Sequence, residues 1–352
     1  MAVSSIRLQN YRSYDDSIFE FDDGVNIVVG PNASGKTNLL EAVLVASAGK
    51  SYRTGDSALV NFDADWARIE ATTNDLQTRI VKIKKIQDLT EKIFEIDGNK
   101  YSRLGQKTKL PIVVFEPEHI SLLTGQPEKR RMFLDTILSL TQQDYGAKLR
   151  EYKRALAQRN SLLKSSKIST DEMFVWDLRL SELAGHLNKA RTTLVDDINQ
   201  RVVSIYHQIT AHKANIKIIY KHSVDANNYS SSMLKQLQSN LKKDIERGFT
   251  STGPHREDFY VEIDQQPTSI GASRGENRSM VLALKIIELE LTEEAFGKKP
   301  ILLLDDVFSE LDGGRRQSLA KAMRGYQTFI STTDADVVVE HFMQNYKIIP
   351  TT

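Results

Sequence analysis

No cysteine occurs anywhere in the chain, which excludes disulfide bonds, thiol nucleophiles and thiolate-held zinc. A reducing compartment is the natural setting. Also missing is any apolar run near the ~20 residues that a membrane span requires. The opening segment MAVSSIRLQNYRSY is polar from Arg7 onward and carries no cleavage signal. The expectation is a soluble, cytoplasmic protein with no membrane contact. Charge of one sign is lacking too: 47 basic and 46 acidic side chains leave a formal net charge of +1. Any polyanion must therefore be met by a local basic surface rather than by the field of the whole chain. What remains, 352 residues at 40% hydrophobic content, suffices for one large α/β core with an elaboration.

The most informative stretch is Gly30-Pro31-Asn32-Ala33-Ser34-Gly35-Lys36-Thr37, which fills every fixed position of the phosphate-cradling pattern G-x-x-x-x-G-K-[ST]. Val25, Ile27, Val28 and Val29 precede it as a β-branched strand, and Leu39, Leu40, Ala42, Val43 and Leu44 follow as the apolar face of a helix. Gly30 and Gly35 let successive backbone N–H groups turn toward phosphate oxygens, and the helix opening at Lys36 adds its positive end. Lys36 is expected to reach the β- and γ-phosphates of ATP, and Thr37 to offer its hydroxyl to Mg²⁺. A second stretch completes such a site. Pro300-Ile301-Leu302-Leu303-Leu304-Asp305-Asp306 reads as a buried parallel strand that delivers two carboxylates to its end. Asp305 is the expected Mg²⁺ ligand beside Thr37, and Asp306 the group that orients or deprotonates a water.

Around these motifs the pattern alternates between strand and helix. Val3 to Leu8 and Ser17 to Phe21 read as strands joined by a polar turn at Ser13 to Asp16, and Trp66 to Ile96 as an antiparallel meander closed by the Asp97-Gly98 turn. Pro111 to Phe115 is a short buried strand. Tyr145, Leu149, Tyr152, Leu156, Arg159 and Leu163 then recur at helical spacing, as do Met173, Trp176, Leu180, Leu183, Leu187, Ala190 and Leu194. The polar turn Lys164 to Ser169 separates them, with Ser169 and Glu172 as a capping box. This predicts an antiparallel helical hairpin inserted as an arm. Strands at Ile216 to Tyr220 and Phe259 to Ile263 follow, then a long helix opened by Ser273-Arg274-Gly275-Glu276 and a final strand Thr328 to Ser331 that finishes the sheet. The expected division is an ATPase lobe over 1–126, the arm over 127–211 and the returning part of the ATPase head over 212–352. Lys50 with Arg53, in a glycine-bounded loop, and Lys153 with Arg154, on the first arm helix, are the candidate DNA contacts.

The order of these motifs resembles the ABC-type ATPases of DNA maintenance, and among them the RecF family. The segments that carry the likeness are Asn10-Tyr11-Arg12-Ser13-Tyr14, Lys50 to Thr54, Phe115 to Glu118, Gly125 to Asp135, Gly253-Pro254-His255-Arg256-Glu257-Asp258 and Leu302 to Asp312. The resemblance implies an ABC-ATPase head, a mixed-sheet P-loop core with an antiparallel meander, bearing a short helical arm. It further implies an ATP-dependent homodimer, weakly hydrolytic, that binds DNA where duplex meets single strand and works with RecO and RecR to load RecA. By the same likeness Arg12 and Asp312 join the nucleotide site, while Ser273, Gly275 and Glu276 form the signature segment that caps ATP held by the other subunit. The family usually has Gln at the position of Glu276, and commonly Asp at that of Glu257. A largely structural ATP-gated DNA clamp and another SMC- or Rad50-like ATPase are the alternatives. The second is disfavoured by the short arm and the missing cysteine hook, and a metabolic phosphotransferase has no use for the hairpin.

Overall fold

The computed structural model describes residues 2–87, 89–165, 170–210, 212–342 and 346–351. In chain order the strands and helices begin with β1 (Val3–Tyr11), β2 (Tyr14–Glu20), β3 (Val25–Val29), α1 (Lys36–Ala48), β4 (Trp66–Thr73), β5 (Thr78–Ile86), β6 (Leu89–Ile96), β7 (Asn99–Tyr101) and β8 (Ile112–Phe115). Then come α2 (Pro127–Thr141), α3 (Tyr145–Leu163), α4 (Thr170–Thr210), β9 (Ile216–Lys221), α5 (Tyr229–Ser239), α6 (Leu241–Arg247), β10 (Asp258–Ile263), β11 (Gln266–Pro267) and α7 (Thr268–Gly271). Last are α8 (Arg274–Phe296), β12 (Ile301–Asp305), α9 (Gly313–Ala322), β13 (Thr328–Thr332), α10 (Asp336–Val339) and β14 (Tyr346–Pro350). Two compact units result, Met1–His119 with Glu288–Thr352, and Ile120–Ile287.

The first unit holds two sheets, an antiparallel one in the order β2-β1-β4-β5-β6-β7 and a parallel one in the order β14-β3-β13-β12-β8. Helix α1 packs on β1, β4 and β5 of the former and on β8, β12 and β13 of the latter. With a sheet on either side, α1 buries every residue from Leu39 to Ser47, so the single apolar face expected for it is in fact a helix apolar nearly all round. Strands β12 and β13 are covered on both faces, and their continuous Leu/Ile/Thr runs follow from that. Two details depart from the sequence reading. Strands β1 and β2 run to Tyr11 and from Tyr14, which face each other, so the turn shrinks to Arg12 and Ser13. The sheet does not finish at β13, because β14 adds a strand parallel to β3.

In the second unit α3 and α4 form the expected antiparallel hairpin, as the cross-helix pairs Arg159–Asp177, Glu151–Arg179 and Lys148–His186 demonstrate. Helix α4 has 41 residues, or about 60 Å of length. The turn residues 166–169, and with them the expected Ser169–Glu172 capping box, lie outside the described residues. The hairpin is not bare. Helix α4 also packs on α5 and on β9 of a small sheet ordered β11-β10-β9, so residues 212–287 group with the arm and not with 288–352. The reason lies partly in two buried guanidiniums. Arg159, fully buried, donates to Asp177 at 2.6 Å, to Asp244 at 2.8 Å and to the Thr250 hydroxyl at 2.9 Å. Arg191 donates to Asp135 at 2.9 Å, to the Tyr220 hydroxyl at 3.3 Å and to the Pro254 carbonyl at 2.7 Å.

Replacing Arg159 by Met should cost about 3–5 kcal/mol, because Asp177 and Asp244 then remain buried without a cation. Urea unfolding monitored by circular dichroism measures it. Adding Asp244→Asn to that variant should recover part of the loss.

Candidate nucleotide site

The loop between β3 and α1 closes through backbone conformations that its residues impose. Gly35 adopts φ +91° and Ala33 φ +68°, both left-handed and easy only for glycine. A side chain on Gly30 would meet the Ser34 and Thr351 hydroxyls and the Thr351 carbonyl at 2.5 Å, so the close approach of the strand end requires its absence. Ser34 and Thr351 share a hydroxyl–hydroxyl hydrogen bond of 2.7 Å, and the Thr351 N–H donates to Val29 O at 2.8 Å. The segment after β14 is thus part of the wall of the loop. Lys36 folds across it and donates to the carbonyls of Gly30 and Pro31 at 2.8 and 2.7 Å. From the other side the β1–β2 turn is docked: Tyr14 donates its hydroxyl to Gly35 O at 3.1 Å, and Asn38 Nδ2 donates to Ser13 Oγ at 3.1 Å. Burial pushes the Tyr14 hydroxyl up to about 12, which keeps it a donor.

The carboxylates at the end of β12 meet the loop directly. Thr37 Oγ1 donates to Asp305 Oδ1 at 2.8 Å, Ser331 Oγ donates to the same oxygen at 2.7 Å, and the Tyr52 hydroxyl donates to Oδ2 at 2.9 Å. All three donors are neutral. Among the described residues no lysine or arginine pairs with Asp305, so its charge stands uncompensated beside a threonine hydroxyl. That donor set of hard oxygens fits Mg²⁺, which takes one or two carboxylates together with phosphate oxygens. Asp306 lies in the left-handed region at φ +54°, a conformation that aspartate tolerates at some cost and that clusters at functional sites. Its N–H donates to Ser331 Oγ at 2.9 Å and its carboxylate accepts from the Ser309 hydroxyl at 2.7 Å. Ser331, which bridges the two acids, and Tyr52 escaped the sequence reading, since neither belongs to a phosphate-loop or acid-strand pattern.

Arg12, at φ +54° in the two-residue turn, has its guanidinium on Glu41 of α1 at 2.9 and 3.0 Å and on the Thr54 hydroxyl at 2.8 Å. Glu41 is fully buried and also accepts from Ser51 Oγ. Arg12, Ser13 and Asn38 line a cavity of about 480 Å³ that is completed by Phe62 and Lys85 among others. Phe62 is 95% exposed, leaving a ring face open to stacking.

The remaining sequence candidates are spread over both units. In the first, Asp312 caps α9 by accepting from the Arg315 N–H at 3.0 Å, while Lys50 and Arg53 are exposed. In the second, Lys153 and Arg154 are exposed on α3. Ser273, Gly275 and Glu276 open α8, where the Ser273 N–H donates to the Glu276 carboxylate at 2.7 Å and the Glu276 N–H to Ser273 Oγ at 3.2 Å. That is a capping box. The S-x-x-E pattern that signals it was legible, yet only the same pattern at Ser169 was read so.

A phosphate loop after β3, an acid after β12 two strands away, and a helical insertion together define an ABC-type ATPase head. The chain belongs to the RecF/RecN/SMC N-terminal domain family, whose model matches residues 2–352. Its relatives carry the name RecF. It is 32% identical over 352 residues to the DNA replication and repair protein RecF of Clostridium perfringens, covering 99% of this chain and 97% of that one. To the protein of the same name from Clostridium beijerinckii it is 35% identical over 354 residues, with 99% and 96% covered. Among solved structures it is similar to the recombination mediator protein RecF in the RecFOR pathway, solved as RecF-ATP, at TM-score 0.85 and 32% identity over 95% of this chain and 92% of that one. The Smc head domain of Pyrococcus furiosus, at TM-score 0.54 and 15% identity over 99% and 93% of the two chains, shares the fold.

Two of the segments that carry the family likeness, Gly125 to Asp135 and Gly253 to Asp258, hold one another, and the second is anchored further. Arg130 grips Asp258 with two bonds of 2.7 Å, and Glu257 accepts from Tyr220 at 2.7 Å, Tyr229 at 2.6 Å and Ser223 Oγ at 2.9 Å. Glu257 is therefore a structural acid of the second unit.

The Ser273 N–H, and then its hydroxyl, hold the Glu276 carboxyl below its ordinary value of 4.5. The cap is then fully present above the ordinary carboxylate range and is lost as pH falls through the lowered value. The protection of the first-turn amides of α8, taken relative to their intrinsic exchange rates, should fall over that acid window in the parent protein and show no such step in Glu276→Gln.

Proposed function

We propose that this chain is an ATP-dependent DNA-binding protein of recombinational repair and replication restart. In this reading it is a homodimer assembled by ATP, a slow ATPase stimulated by DNA, which binds DNA at junctions of duplex and single strand and helps RecO- and RecR-type mediators load RecA. The observation that carries it is the 2.8 Å contact of Thr37 with an Asp305 that has no cationic partner among the described residues, in a chain matched over nearly its whole length by proteins named RecF.

Each residue's part follows from its placement. The loop amides and Lys36 bind the phosphates, with Lys36 exchanging its carbonyl partners for phosphate oxygens. Arg12 and Phe62 flank the cavity that takes the nucleoside. Thr37 and Asp305 would hold Mg²⁺, which when bound neutralises charge on the β- and γ-phosphate oxygens. Asp306 orients the attacking water, its backbone pinned by Ser331 and Ser309. Asp312 joins the nucleotide site, and Ser273, Gly275 and Glu276 act on ATP held by the partner subunit, so that nucleotide joins two faces that otherwise separate. Glu276, engaged in the capping box, serves by fixing the start of α8 rather than by touching phosphate itself.

Sedimentation tests the dimer. The parent protein should be dimeric with ATP and monomeric with ADP or without nucleotide. Asp306→Asn should also dimerise with ATP while turning it over about 10²-fold more slowly. Equal turnover, or a dimer indifferent to nucleotide, would sink the reading.

Duplex affinity measured with ATP across a salt series tests the DNA surface. Engagement of about six phosphates predicts a log–log slope near −5. Arg53→Ala, and Lys153→Ala combined with Arg154→Ala, should each weaken binding and flatten the slope without changing sequence preference.

A further inference from the structure

Between Gly49 and Gly55 the chain has no regular structure, yet three of its side chains are committed to the nucleotide site. Ser51 donates its hydroxyl to buried Glu41, and its oxygen accepts the N–H groups of Arg53 and Thr54 at 2.9 and 3.1 Å. Thr54 accepts from Arg12 at 2.8 Å. Tyr52, half-buried against the core of the first unit, donates to Asp305 Oδ2 at 2.9 Å. Lys50 and Arg53 point away and are exposed.

The Tyr52 bond does something the other two donors to Asp305 do not. Thr37 and Ser331 both approach Oδ1, and bonds to one oxygen leave more play about the broad terminal torsion than bonds to both. With Oδ2 also engaged, both oxygens have fixed positions. We propose that Tyr52 is a positioning residue for the metal-binding acid: it locks the Asp305 carboxylate in one orientation toward Thr37 and so sets the affinity of the nucleotide site for a divalent cation. This rests on the reading of Thr37 and Asp305 as the metal-holding pair. Because the same residue lies between Lys50 and Arg53, the order of that cationic segment becomes part of the metal site.

Outer partners of metal ligands commonly contribute 10–100-fold to metal affinity. Tyr52→Phe keeps the ring and its packing and removes only the hydroxyl. A fluorescent ATP analogue is titrated onto parent and variant in EDTA, and then at fixed nucleotide against rising Mg²⁺. The variant should need about 10-fold more Mg²⁺ for half-maximal tightening, with its affinity in EDTA equal to that of the parent. An unchanged Mg²⁺ requirement overturns the proposal. So does a loss of affinity that is the same in EDTA and in Mg²⁺, the mark of a structural defect alone. If the parent itself binds the analogue without regard to Mg²⁺, it is the assignment of Thr37 and Asp305 to a metal that fails.

Discussion

A half-buried carboxylate with three hydroxyl donors and no lysine or arginine partner among the described residues is the constraint on which the first unit depends. Asp305 is tolerable at the end of β12 because three hydroxyls, from Thr37, Ser331 and Tyr52, aim at it. Each arrives from a different part of the fold, one from α1, one from β13 and one from the segment after α1. Hydroxyl donors lower the cost of burying the charge without cancelling it. The field left over would favour a positive ion there, and a lysine in place of any of the three would have spent it.

The second unit answers a different demand. Its helices and small sheet meet through Arg159 and Arg191, both deep in the packing and both bound to carboxylates. Apolar side chains of equal volume would hold such a unit together at least as well. What a guanidinium adds is geometry: five donors in a fixed fork accept few arrangements of their partners. Asp135, Asp177 and Asp244 come from α2, α4 and α6, so satisfying two arginines ties α3 to α4 and α6, and α4 to α2. This explains why the hairpin, legible as a two-helix seam, is woven into its neighbours.

The phosphate loop, the acid strand, the meander and the hairpin were all legible in the sequence, because each rests on a local period or on fixed spacing within one segment. Misread were features decided by what lies on the far side. Helix α1 was given one apolar face since nothing in Leu39 to Leu44 says that a second sheet covers the other. Strand β14 passed unnoticed because Tyr346 to Pro350 offers only two adjacent isoleucines and owes its existence to pairing with β3. The bond of Arg12 to Glu41 likewise depends on a helix 29 residues further on, which nothing in the turn announces. Tyr52, though inside the Lys50 to Thr54 segment of the family likeness, and Ser331 belong to no phosphate-loop or acid-strand pattern. Their part is set by where β12 ends, a property of the sheet and not of either residue's neighbours in sequence.

The strand beside β3 has a temporal consequence. Gln327 bonds both the N–H and the carbonyl of Val3, 324 positions away, and Thr351 leans on Ser34 across 317. A phosphate loop synthesised near the start of the chain thus waits for almost the last described residue before its wall exists. During synthesis the emerging β3 has neither β13 nor β14 to pair with, and an unpaired strand of Val, Ile and Val is a template for foreign strands. Closure over such separations is also entropically slow. The loop therefore gains its wall only after Thr351 and β14 have been made and have packed against it.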